Sequence, residues 1–109
     1  MIITKKFTFE AAHKLPGYKG NCSKLHGHSY KLEVAIKGPV KNGMVIDFRE
    51  LDTIVKEKAL DILDHSYIND IIKNPTAENL VKWIWDKLPL KLHLLRLWET
   101  EKCSVIYKG

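Results

Sequence analysis

The sequence predicts an α+β fold in the order β-β-α-α-β-β, an antiparallel sheet with two helices on one face. Two long segments near the start alternate apolar and polar residues with period 2. Two central segments carry apolar residues at helical spacing, and two short alternating segments close the chain. Consecutive strands at both ends imply hairpins and antiparallel pairing, which leaves the helices to cover one face. The 109 residues suit one domain, 1–109, with no internal repeat, linker or low-complexity tract.

The first strand sets Ile3, Phe7, Phe9, Ala11 and His13 on one face and Thr4, Lys6, Thr8 and Glu10 on the other. A polar loop around Pro16-Gly17-Tyr18 follows. The second strand directs His26, His28, Tyr30, Leu32, Val34 and Ile36 one way and Ser29, Lys31, Glu33 and Lys37 the other. Gly38-Pro39 and Asn42-Gly43 are breaks. Asp47 reads as an N-cap with Glu50 at the third helical position, and Leu51, Ile54, Val55, Ala59, Ile62 and Leu63 extend that helix to about Leu63. Asn74-Pro75-Thr76 opens a second helix. Its stripe is Ala77, Leu80, Val81, Ile84 and Leu88, and Pro89 stops it. Strands at Leu92 to Glu99 and Cys103 to Tyr107 flank a turn at Thr100-Glu101-Lys102.

An apolar share of 45% with 28% charged residues excludes disorder and collagen-like repeats. No window is apolar enough for a membrane span, and the opening Met-Ile-Ile-Thr-Lys-Lys-Phe is not a signal peptide, so a cytoplasmic location is expected. Two cysteines are then expected as free thiols. The formal charge of +5 suits polyphosphate substrates or nucleic acid. A zinc-stabilised nucleic-acid-binding module is disfavoured, because no helix face is basic and no strand interleaves basic with aromatic residues.

The densest chemical signal is Cys22-Ser23-Lys24-Leu25-His26-Gly27-His28, with His13 ending the preceding strand. His26 and His28 point to one side of their strand, and pairing of the two strands brings His13 beside them. Three neutral imidazoles with a fourth position open make the ligand set of a catalytic zinc ion, Zn2+. Gly27 between the ligands permits a close backbone approach. Cys22 reads either as a thiolate base or nucleophile near the metal or as a fourth ligand. Cys103 reads as a packed small hydrophobe. Asp64-His65 follows the first helix, where the carboxylate could orient the ring as a general acid or base or the histidine could merely serve a helix end. Glu99 ends an apolar stripe, either solvated or reserved for a ligand with two parallel donors. Thr76 and Glu78 fit a helix cap and a first-turn acid.

Together these residues resemble the 6-pyruvoyltetrahydropterin synthase and 6-carboxytetrahydropterin synthase family. The likeness runs through Phe9-Glu10-Ala11-Ala12-His13, Cys22 to Tyr30, Gly43 to Phe48, Leu63 to Asn69, Pro75 to Asn79 and Glu99-Thr100. The resemblance implies the tunnelling fold, whose β-β-α-α-β-β units assemble into trimeric barrels, often stacked as hexamers. It implies His13, His26 and His28 as zinc ligands, and Cys22, Asp64 and His65 as catalytic groups. Glu99 would anchor the pterin ring in a pocket that Thr76 and Glu78 are expected to line from a neighbouring subunit. The Cys22-to-His26 gap looks like the carboxytetrahydropterin synthase spacing, pyruvoyl-forming enzymes having a longer one. The expected reaction turns 7,8-dihydroneopterin triphosphate into 6-carboxy-5,6,7,8-tetrahydropterin, an early step toward queuosine or archaeosine, with the pyruvoyl-forming lyase as the alternative.

Overall fold

A computed structural model describes residues 1–20 and 23–109; Cys22 lies outside the described residues. The chain forms β1 (Ile2–His13), β2 (His26–Lys37), α1 (Phe48–Val55), a π-helical segment (Lys56–Leu60), α2 (Asp61–Leu63), β3 (Ser66–Tyr67), a 3-10 turn (Ile68–Asp70), α3 (Ala77–Lys87), β4 (Leu92–Thr100) and β5 (Cys103–Tyr107). The sheet order is β3-β1-β2-β4-β5. The alternation predicts the four long strands and their antiparallel pairing. It does not predict β3, whose two residues run parallel to Ala11 and Ala12. A two-residue strand carries no periodicity, so the small parallel addition to an otherwise antiparallel sheet is a product of tertiary docking.

The helices cover one face. Phe7, Phe9, Tyr30, Leu32, Val34, Leu95 and Leu97 from the sheet share one core with Leu51, Val55, Leu63, Leu80 and Ile84 from the helical segments. Asp47 caps α1 by accepting from the Arg49 N–H at 2.8 Å. The first helical rod reaches Leu63 as its stripe predicts, but its middle widens into the π-helical segment. That wider turn lets the adjacent residues Ala59 and Leu60 both bury.

Register does the rest of the positioning. β1 and β2 pair from Ile2 with Lys37 to His13 with His26, so Ala11 stands opposite His28. The histidines therefore gather at the end of the sheet where β1 finishes and β2 begins.

Candidate metal centre and adjoining cleft

His13, His26 and His28 each offer one ring nitrogen, and these three atoms lie within 4.8 Å of one another. His13 is fully buried. Its Nδ1 lies 2.8 Å from the Pro75 carbonyl oxygen, and His26 Nδ1 lies 2.7 Å from the Lys24 carbonyl oxygen. A carbonyl can only accept, so both Nδ1 atoms must donate. That leaves lone pairs on both Nε2 atoms, which face each other at 2.9 Å. Among the described residues His28 Nε2 is buried with no hydrogen-bond partner, and it lies 3.5 Å from Glu99 Oε1, an ion pair only when the ring is protonated. Burial, aided by His13 and His26 and opposed by Glu99, holds His28 below the ordinary histidine value. Lone pairs converging without donors are what a cation satisfies, so the three histidines fit a metal. Tyr30 closes the cluster from the core side, its hydroxyl 3.4 Å from His13 Nδ1.

The local sequence explains this arrangement. Pro75 sits just before α3, whose N-cap Thr76 accepts from the Asn79 N–H at 3.1 Å. Fixing that helix start fixes the Pro75 carbonyl aimed at His13, a contact that no spacing in the sequence announces. Gly27 is a different matter. A Cβ there would meet the Ala11 carbonyl oxygen at 3.5 Å, an ordinary contact, so neither space nor backbone conformation demands glycine within this chain.

Glu99 belongs to the same neighbourhood as the histidines. It lines a cleft of about 200 Å³ with Glu78, Ala77, Cys103, Ser104 and Val105. Thr76 is held at the helix start as its cap, one residue short of that wall. Cys103 is exposed, contrary to its reading as a packed hydrophobe. The register shift between Trp98 and Thr100 moves the start of β5 to the mouth of the cleft.

Asp64 and His65 sit apart from this cleft, at the open side of β1. Asp64 Oδ2 lies 3.0 Å from His65 Nδ1, and Asp64 Oδ1 accepts from the Glu10 N–H at 2.9 Å. His65 takes φ 59°, a left-handed conformation uncommon among non-glycine residues but one that histidine adopts more readily than most, and its own N–H donates to the Glu10 carbonyl. The ring opens on a shallow cleft of about 400 Å³ shared with Glu10, Gly27, Ser29 and one member of the histidine cluster, His28. The segment 64–69 acts as a splint along the end of β1. After β3, the Asn69 amide accepts from the Lys14 N–H at 2.9 Å and donates to the Lys14 carbonyl at 2.7 Å. The residue following the buried His13 is thereby held on both of its backbone groups.

The Glu10 N–H, helped by His65, holds the Asp64 carboxyl below the usual carboxylate range. A depressed folded value contributes stability above the unfolded value of about 3.9, and that contribution is lost as pH falls through the folded value. Asp64→Asn removes the titration while keeping an acceptor for Glu10. Its unfolding midpoint is therefore expected to fall less steeply than the wild type's below about pH 4. Parallel acid limbs in urea titrations of the two proteins would show that the charge of Asp64 is not held by the fold.

Residues 2–109 match the family model described as 6-pyruvoyl tetrahydropterin synthase. The chain is 36% identical over 129 residues to the 6-carboxy-5,6,7,8-tetrahydropterin synthase of Haemophilus influenzae, covering 90% of this chain and 92% of that one. It is 40% identical over 130 residues to the 6-pyruvoyl tetrahydrobiopterin synthase of Dictyostelium discoideum, covering 100% and 96%. Its fold superimposes on the solved 6-pyruvoyl tetrahydropterin synthase of Caenorhabditis elegans with a TM-score of 0.90 at 26% identity, covering 100% and 95%.

Proposed function

The chain belongs to the 6-pyruvoyl tetrahydropterin synthase family, and we propose that within it this pterin lyase makes the carboxy product. The reaction is conversion of 7,8-dihydroneopterin triphosphate and one water to 6-carboxy-5,6,7,8-tetrahydropterin, acetaldehyde and triphosphate, in the cytoplasm, on the route to the 7-deazaguanine bases queuosine or archaeosine. The observation that carries the reading is the carboxylate of Glu99 standing 3.5 Å from His28, so that one cleft adjoins both a metal-binding cluster and an acid suited to a pterin edge.

The proposed metal is zinc, held by His13, His26 and His28, and when bound it supplies Lewis acidity toward oxygen groups of the substrate side chain. Glu99 accepts two parallel hydrogen bonds from the N–H and NH₂ edge of the pterin ring. Glu78 and Thr76 shape the wall around that edge. Asp64 orients His65 so that the ring can take up or return a proton. Cys22, as a thiolate, moves a second proton, with three residues separating it from His26 along the chain. Lys14, Lys19 and Lys24 draw in the triphosphate. Residues 1–109 would act as one domain and assemble as a homo-oligomer, a trimer or hexamer. Among the described residues the outer edge of β1 is unpaired before Ala11 and β5 forms the opposite edge, so both edges can accept a neighbour's strand. No helix among the described residues is long and apolar enough to cross a membrane.

The deciding experiment supplies 7,8-dihydroneopterin triphosphate to the metal-loaded protein, weighs the pterin product and traps aldehydes with a hydrazine. Carboxytetrahydropterin with trapped acetaldehyde is the expected result. A pyruvoyl pterin without acetaldehyde would replace it with the sister reaction, which the Dictyostelium likeness supports. Cys22→Ala is expected to retain metal while losing about a hundredfold or more in turnover, as loss of a positioned proton-transfer group does. Metal lost in step with activity would instead make Cys22 a ligand.

A further inference from the structure

The sheet face turned away from the helices carries a cluster that no single strand displays. Register lines up Thr8, Lys31, Trp98 and Ser104 across four strands, and Lys6, Glu33, Arg96 and Ile106 in the adjacent row. Three cations converge on the Trp98 ring. Lys6 Nζ and Lys31 Nζ each lie 5.7 Å from its centroid, and the Arg96 guanidinium carbon lies 4.4 Å away. Arg96 Nε donates to Ser104 Oγ at 3.2 Å, which orients the guanidinium. Glu33 stands in register between Lys6 and Arg96. Even so, none of the three cations takes part in an ion pair among the described residues.

The electron-rich ring face offsets part of the repulsion between these cations but neutralises none of it. Three positive charges against the single carboxylate of Glu33 leave the cluster electropositive. Its donors suit a ligand with several anionic oxygens: one planar fork and two mobile ammonium groups, beside an indole that keeps water off one side. We propose that this face is a binding site for a linear polyphosphate anion of the triphosphate class, held by Lys6, Lys31 and Arg96 around Trp98. The site is separate from the histidine cluster, which lies on the core-facing side of the same strands. Edge-to-edge assembly of sheets would leave this face uncovered and set several such sites around one axis. The choice of triphosphate rests on the reaction proposed above, whereas the binding itself does not.

The test uses the full chain with inorganic tripolyphosphate and no pterin, followed by calorimetry and by tryptophan fluorescence. Saturable binding that weakens with added salt is expected, with a fluorescence change that Trp98→Phe removes. Lys31→Gln and Arg96→Gln should each weaken binding about tenfold or more, while Arg96→Lys, which keeps the charge but loses the planar fork, should fall between the wild type and Arg96→Gln. Stripping the metal site with a chelator should leave the affinity unchanged. No saturable heat, or glutamine variants that bind like the wild type, would overturn the site. Binding of a short single-stranded polyuridine where tripolyphosphate gives nothing would also overturn it, in favour of nucleic acid. Failure of the product assay with tripolyphosphate still bound would sink the proposed reaction and spare this site. The converse result would do the reverse.

Discussion

His28→Ala is expected to leave the protein folded, unable to retain its metal and inactive. Loss of a hydrogen-bonding partner behind a ligand alone typically costs ten- to a hundredfold in metal affinity, so loss of a ligand should exceed a hundredfold. The metal-free forms offer a second measurement. Among the described residues His28 Nε2 is buried without a hydrogen-bond partner, and an unsatisfied buried polar atom costs on the order of 1–3 kcal/mol. Removing the ring therefore trades lost packing against relief of that nitrogen. Metal-free wild type and variant should melt close together, while metal added in excess should stabilise the wild type alone. Elemental analysis showing full occupancy in His28→Ala would remove the basis for the centre, whatever the activity.

Much of this arrangement was legible in the sequence because strands report their faces directly. Period 2 put His26 and His28 on the side shared with Tyr30 and Leu32, and His13 on the side shared with Phe9 and Ala11, as the structure has them. Asp47 and Thr76 announced their helix starts through local capping chemistry, and each side chain does accept from the backbone two or three residues on. What escaped the sequence depends on partners distant in the chain. The Pro75 carbonyl that sets the His13 tautomer is 62 residues away, and the Asn69 grip on Lys14 spans 55. Cys103 looked like part of an alternating strand until the register shift beside Thr100 moved it to the cleft mouth.

The Trp98 cluster shows the same limit from the other side. Reading along each strand finds isolated lysines, one arginine and one tryptophan, which is why no basic aromatic strand is visible in the sequence. Reading across β1, β2 and β4 brings them onto one ring. Cross-strand composition depends on register, and register depends on the core packing of the opposite face. A property of the outer surface is thus decided by Phe7, Leu32 and Leu97, which pair on the inner one.

Glu99→Gln is expected to weaken pterin binding about thirtyfold to a thousandfold, on the order of 2–4 kcal/mol, while the fold and the metal persist. The substitution keeps size and shape, so packing is nearly unchanged. One acceptor oxygen survives, but the other becomes an NH₂ facing a ring N–H, which replaces a charge-assisted bond by a donor-donor contact. Because Glu99 lies 3.5 Å from His28 Nε2, losing its charge also removes an attraction felt at the metal site. That loss acts across space and should be far smaller than the effect of removing a ligand. Glu78 supplies the contrast. It lines the same cleft from the first turn of α3, and Glu78→Gln should cost pterin affinity much less. Titrating a reduced pterin into the metal-loaded variants by calorimetry separates these effects. Equal affinity in wild type and Glu99→Gln would return that carboxylate to an ordinary strand end, and a larger loss in Glu78→Gln would move the ring's anchor from β4 to α3.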